Sequence, residues 1–143
     1  MYRMDTFGVP EFGYYRGVVR SRKVVLIVED DSDLRRMFRT ALTIAGYVVD
    51  EAADGAAALQ RIHMDPPDLV VLDLALPTVS GFFVHQEITA HAHTRHIPVV
   101  IVTGSTMNLD HVETACVLRK PVDPEKLVTT VNECLRAGSG AVF

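Results

Sequence analysis

The chain has 143 residues, 48% of them hydrophobic and 22% charged, with a formal net charge of -4. That length suits one compact domain, and the composition is that of a soluble globular protein rather than a disordered one. The acidic balance excludes a general attraction to nucleic acid or to an anionic membrane surface.

Residues 1–22 stand apart as an N-terminal arm or leader, with Tyr2, Phe7, Phe12, Tyr14 and Tyr15 scattered among glycines and arginines without a clear period. The VVLIV run within 23–28 is apolar throughout, which predicts a strand buried on both faces. A helix follows over 32–45, with Leu34, Met37, Phe38, Ala41, Leu42 and Ala45 at helical spacing. Asp31 or Ser32 caps it and Gly46 ends it. Residues 47–52 form a second strand, and Asp54 caps a second helix that stops before Pro66 and Pro67.

A third strand covers 69–73, apolar until Asp73, and a third helix covers 81–91, with Phe82, Val84 and Ile88 as core candidates. A fourth strand spans 98–103. Residues 105–114 leave room only for a shortened or irregular fourth helix, before a fifth strand at 116–119. Asp123 and Pro124 supply a cap and a first-turn proline for a last helix running to about Arg136, and residues 138–143 read as a frayed tail. No apolar run approaches the about 20 residues a spanning helix needs, so a membrane role is not expected and the location is read as cytoplasmic. The two cysteines, Cys116 and Cys134, fit a reducing compartment as buried small apolar residues, a disulfide between them being the lesser expectation.

Alternating strands and helices imply a parallel sheet covered on both faces, with ligands beyond the carboxyl ends of the strands. The polar residues that terminate the strands are therefore the candidates for chemistry. Strand one ends in Glu29, Asp30 and Asp31, strand three in Asp73 and strand four in Thr103, while strand five leads to Lys120 and Pro121. Clustered carboxylates repel one another unless a cation sits among them, and oxygen-only ligands favour a hard ion such as Mg²⁺. A carboxylate can also act as a nucleophile and form an acyl phosphate, whose transferring group needs positive charge around its oxygens.

In VLIVEDD, in VVLDLALPTVSG around Asp73, in VIVTGS around Thr103 and in RKP at Lys120, the sequence resembles the receiver domains of two-component response regulators, the chemotaxis-regulator-like family. The ordered set, with Pro77 and Gly81 four and eight residues after Asp73, covers about 23–137. The resemblance implies a flavodoxin-like, doubly wound, five-stranded parallel (βα)5 sheet. It also implies Asp73 as phosphoacceptor, Thr103 as switch hydroxyl and Lys120 as the phosphate-pairing lysine. Mg²⁺ would be held by Asp30, Asp73 and the Ala75 backbone carbonyl, with Glu29 acting through water. The bond from Lys120 to Pro121 is typically cis in the family, and Asp31 is read as a helix cap.

The implied partner is a histidine kinase or a histidine phosphotransfer protein. The switch would act through protein contacts, with room for a homodimer and no direct nucleic-acid binding. Few residues follow Lys120, so no output domain is expected within this chain. Three features depart from the family pattern. Val117 stands where a switch aromatic is usual, the segment from Thr103 to Lys120 is short, and Ala75 and Ser105 are small where larger polar residues often flank the attacking water.

Two other functions share parts of this pattern. A phosphatase of the haloacid dehalogenase type needs a second acid two residues after its nucleophile, where this chain has Ala75. A receiver-like module that has dispensed with phosphate fits poorly with the complete set of acids, Thr103 and Lys120. His85, His91, His93 and His96 read as residues of a solvated helix and loop rather than as metal ligands. No GxxxxGK[ST] or GxGxxG loop follows the first strand, so nucleotide binding is not expected.

Overall fold

The computed structural model describes residues 22–104, 109 and 116–140. Nearly all of the expected arm and of the expected fourth helix, and the last three residues of the expected tail, lie outside the described residues. Five strands are present: β1 (Val24–Val28), β2 (Val48–Ala52), β3 (Leu69–Asp73), β4 (Val99–Thr103) and β5 (Val117–Arg119). The described helices are α1 (Ser32–Ile44), α2 (Gly55–Met64), α3 (Gly81–Ala90) and α4 (Pro124–Gly140). All strand pairings are parallel, in the order β2-β1-β3-β4-β5. The parallel, doubly wound sheet expected from the sequence is therefore present, and α4 extends a turn beyond the expected Arg136, to Gly140.

The alternation of side chains along each strand divides the interior into two layers. Val25 and Ile27 of β1 face a cluster built with Phe38 and Leu42 of α1 and Leu127 and Val131 of α4. Leu26 and Val28 face the opposite cluster, with Ala58 and Ile62 of α2 and Val84 and Ile88 of α3. The strands β3 and β4 are buried along their whole length, which is why they are written in uninterrupted apolar residues. At the edge, β2 carries Asp50 and Glu51, which pair with Arg61 of α2 and with Arg35 and Arg39 of α1.

The helix starts follow their caps. Asp31 accepts from the N–H groups of Asp33 and Leu34, Asp54 from Ala57, and Ser80 from Phe83. Gly46, after α1, has φ of 104°, a conformation open to glycine at little cost. His85, expected on a solvated helix, is instead buried on the inner side of α3.

The cysteine expectation is corrected. Cys116, just before β5, and Cys134 of α4 form a disulfide across a Cα–Cα distance of 6.3 Å. The last helix packs back over β4 beside β5, so two residues 18 apart in sequence meet within bridging distance. Chain spacing alone carries no trace of that return.

Candidate functional site

Strand register assembles the site. Val28 pairs with Leu72, so Glu29 and Asp73 emerge side by side at the carboxyl edge of β1 and β3. Asp73 pairs with Val102, and Thr103 pairs with Arg119, which brings Thr103 and then Lys120 to the same edge. The sheet order reverses at this point, since the chain leaves β1 for β2 on one side and later enters β3 on the other. That is where an open α/β sheet leaves a crevice.

The Lys120 ammonium lies 3.2 Å from Glu29 Oε1 and 3.3 Å from Asp73 Oδ2. The other Asp73 oxygen, Oδ1, accepts from the Ala75 N–H at 3.0 Å. Glu29 Oε2 accepts from the Asp31 N–H at 3.2 Å. Although Glu29 Oε1 is within ion-pair distance of Lys120, the alignment is not that of a hydrogen bond, and this buried oxygen is left without a hydrogen-bond partner. Asp30 is exposed at the rim, whereas Glu29 and Asp73 are only 1% and 2% exposed. One oxygen from each of Glu29, Asp30 and Asp73 lies within 4.8 Å of the other two.

Three carboxylates thus face one ammonium group. Burial, reinforced by the Asp73 charge, pushes the Glu29 carboxyl up to about 7, against the lowering effect of the Asp31 N–H and Lys120. Burial alone would lower the Lys120 ammonium, but Glu29 and Asp73 outweigh it and hold its pKa above the ordinary lysine value. The corner has an excess of negative charge, and one buried carboxylate oxygen is ion-paired with Lys120 but without a hydrogen bond. Its oxygen donor set fits a hard divalent cation such as Mg²⁺.

Of the residues singled out in the sequence, Glu29, Asp30, Asp73 and Lys120 meet at this corner, and Ala75 borders it through its N–H. Thr103 is buried at the end of β4, and its carbonyl accepts from the Lys120 N–H at 2.8 Å. The peptide bond from Lys120 to Pro121 is cis. Val117 opens β5 and packs, partly buried, against the cluster on the α2 and α3 side. Ser105 lies outside the described residues.

Several supporting residues escape sequence reasoning. Arg35 donates from Nη1 to the Glu29 carbonyl at 2.7 Å and from Nε to Glu51 at 3.1 Å, bracing the backbone that carries the acidic pair. Its only sequence signal is a position one turn past the Asp31 cap. Gly81 has a packing reason: a Cβ there would collide with the Asp73 carbonyl oxygen and Leu74 Cα, because α3 begins directly against the end of β3. Gly55 is constrained likewise, since a Cβ would sit 2.7 Å from the Val79 carbonyl oxygen.

Residues 25–132 match the response regulator receiver domain family. The chain belongs to that family. It is 31% identical over 131 residues to the probable transcriptional regulator ycf27 of Guillardia theta, covering 87% of this chain and 50% of that protein. Among solved structures it is similar to a CheY-like response regulator receiver domain protein from Methanospirillum hungatei, with a TM-score of 0.76, 26% identity, and coverage of 84% of this chain and 98% of that one. It is also similar to the chemotaxis response regulator CheY4 of Vibrio cholerae, with a TM-score of 0.73, 27% identity, and coverage of 79% and 98%. The receiver domain spans about half the length or less of the curated relatives it matches. No helix among the described residues is long and apolar enough to cross a membrane.

Proposed function

We propose that this receiver domain accepts a phosphoryl group on Asp73 from a phosphohistidine donor and thereby switches its protein contacts. The observation that carries the proposal is the position of Lys120 Nζ, 3.3 Å from Asp73 Oδ2, in a corner where Glu29, Asp30 and Asp73 gather their oxygens. An Asp73 carboxylate oxygen attacks phosphorus, the O–P bond forms as the P–N bond to the donor imidazole breaks, and the imidazole leaves with the bonding electron pair. The N–H of Ala75 holds the other Asp73 oxygen and so sets the carboxylate's orientation. Lys120 balances charge on the incoming phosphoryl oxygens, and the Thr103 hydroxyl is assigned a further oxygen.

Asp30, Asp73 and the Ala75 carbonyl would hold Mg²⁺, with Glu29 reached through water. When bound, the ion supplies charge neutralisation for the transferring group. The donor is a histidine kinase or a histidine phosphotransfer protein, and the domain spans 23–137. The lack of an aromatic residue at Val117 means that any rearrangement of β4 and β5 must be relayed by aliphatic packing in place of a turning ring.

Incubation with acetyl phosphate and Mg²⁺, followed by intact mass measurement, tests the proposal. One phosphoryl adduct, lost on chelation and in Asp73→Asn, is the expected result. An adduct that persists in Asp73→Asn, or steady turnover of phosphomonoesters, would reject it.

A further inference from the structure

We propose that His63, Glu87, His91 and His93 form a binding site for a divalent transition-metal ion of the zinc class, at the end of the domain opposite Asp73. The helices α2 and α3 pack side by side on one face of the sheet and both run back toward the amino ends of the strands. Their last turns therefore meet, bringing His63 of α2 beside Glu87 of α3 and His91 and His93 just past it. The three imidazoles form a closed triangle, with ring centroids 5.2 Å apart for His63 and His91, 5.1 Å for His63 and His93, and 5.9 Å for His91 and His93. No apolar cluster surrounds His63 or His93, both of which are exposed, so hydrophobic burial does not explain the grouping.

The donor atoms are disposed for a cation. His63 Nδ1 lies 3.1 Å from His93 Nε2. Two nitrogens bound tetrahedrally to zinc at the usual bond length stand about 3.3 Å apart. One ligand atom from each of His63, Glu87 and His91 lies within 4.8 Å of the others, a gap that small rotations of half-exposed side chains close. His91 Nδ1 lies 2.8 Å from the Glu87 carbonyl oxygen, which can only accept, so Nδ1 is the donor there and Nε2 is the nitrogen left to face a metal. A metal-ligating histidine is commonly oriented in this way, with its second nitrogen donating to a backbone carbonyl.

Three imidazole nitrogens and one carboxylate suit zinc, copper or nickel and disfavour Mg²⁺, in contrast to the all-oxygen corner around Asp73. The two helix carboxyl ends add a potential favourable to a cation. Glu87 and His91 are four residues apart, which places them on one helix face, and Glu87 supplies the negative charge that the histidines lack.

The test uses tag-free, metal-stripped protein with its disulfide intact and MgCl₂ in excess, titrated with ZnCl₂ against a chromophoric chelator. One zinc per chain is expected. His63→Ala and His91→Ala should each weaken binding by about tenfold or more, while His96→Ala should leave it unchanged. Because a variant could lose its fold, imidazole NMR signals of the wild-type protein provide a second readout, with those of His63, His91 and His93 shifting together on zinc addition. Cobalt in place of zinc should give the visible absorption of a tetrahedral ion. Undiminished uptake by a folded His63→Ala/His91→Ala protein, or zinc shifts confined to other histidines, would overturn the proposal. Loss of phosphorylation at Asp73 has no bearing on either readout.

Discussion

The Arg35 guanidinium donates to the backbone carbonyl of Glu29 at 2.7 Å, so helix α1 holds the strand end from which the acidic pair projects. Hydrogen bonds from a charged donor contribute about 1.5–3 kcal/mol, and part of that is recovered by water at this half-buried position. Arg35→Ala should therefore lower unfolding free energy by about 1–2 kcal/mol and weaken Mg²⁺ binding several-fold. Denaturant titration and calorimetry check the two effects. A variant with wild-type Mg²⁺ affinity would show that the strand end needs no brace.

Glu29 should make Mg²⁺ binding pH-dependent. Its carboxyl is raised from 4.5 to about 7, so the folded protein holds this proton more tightly than the unfolded chain. The resulting stabilisation of the metal-free protein is complete below pH 4.5 and is lost as pH rises through about 7. An entering cation must displace the same proton. Mg²⁺ affinity should then climb by about tenfold per pH unit below that value and level off above it. Calorimetry across this range should show the slope, and Glu29→Gln should flatten it.

Gly81→Ala places a methyl group into the Asp73 carbonyl oxygen and Leu74 Cα, both main-chain atoms that have no rotamer by which to yield. Overpacking of this kind costs about 1–3 kcal/mol. A lower urea midpoint together with slower phosphorylation is the expected result. Gly104→Ala is the contrasting case, since among the described residues its methyl would meet the Lys120 side chain, Cδ at 3.5 Å and Cβ at 3.8 Å, both ordinary contacts.

The bridge from Cys116 to Cys134 closes a short loop. In the chain-entropy description a loop of this size stabilises the folded state by about 3 kcal/mol. Reduction, or a Cys116→Ser/Cys134→Ser replacement, should reduce unfolding free energy by about that amount. Equal denaturation midpoints for oxidised and reduced protein would show that the unfolded chain is not appreciably restrained by the bridge.

Ala75 is small where a larger polar side chain often flanks the attacking water. Its N–H, not its side chain, contacts Asp73. Ala75→Asn should therefore change the lifetime of the phosphoryl group while leaving its formation intact, as followed by mass spectrometry after removal of the donor. Identical decay rates would assign the lifetime to other residues.

Much of the fold is legible in the sequence because local rules and tertiary packing agree. The all-apolar β3 and β4 announce full burial, and Asp31, Asp54 and Ser80 sit where a helix start needs an acceptor. The candidate site is legible for a related reason, since its chemical groups either end a strand, as Asp73 and Thr103 do, or closely follow one, and register brings those strand ends together. What sequence reading misses depends on contacts between elements distant in the chain. The disulfide requires α4 to return over the sheet, and Arg35 acts through a carbonyl that any residue would provide. The buried face of His85 and the meeting of His63 with His93 both depend on how α2 and α3 lie against each other, which periodicity within either helix does not encode.

The strands β1 to β4 are each five residues long, which separates the two rims of the sheet by about 17 Å. That span is roughly twice the screening distance of about 8 Å in physiological salt. Through solvent, an ion seated on the histidines would exert little electric pull on a phosphorylated aspartate. Any crosstalk between the rims would travel as a mechanical displacement passed between α2, which carries His63 at its tip, and α3, which begins beside Asp73.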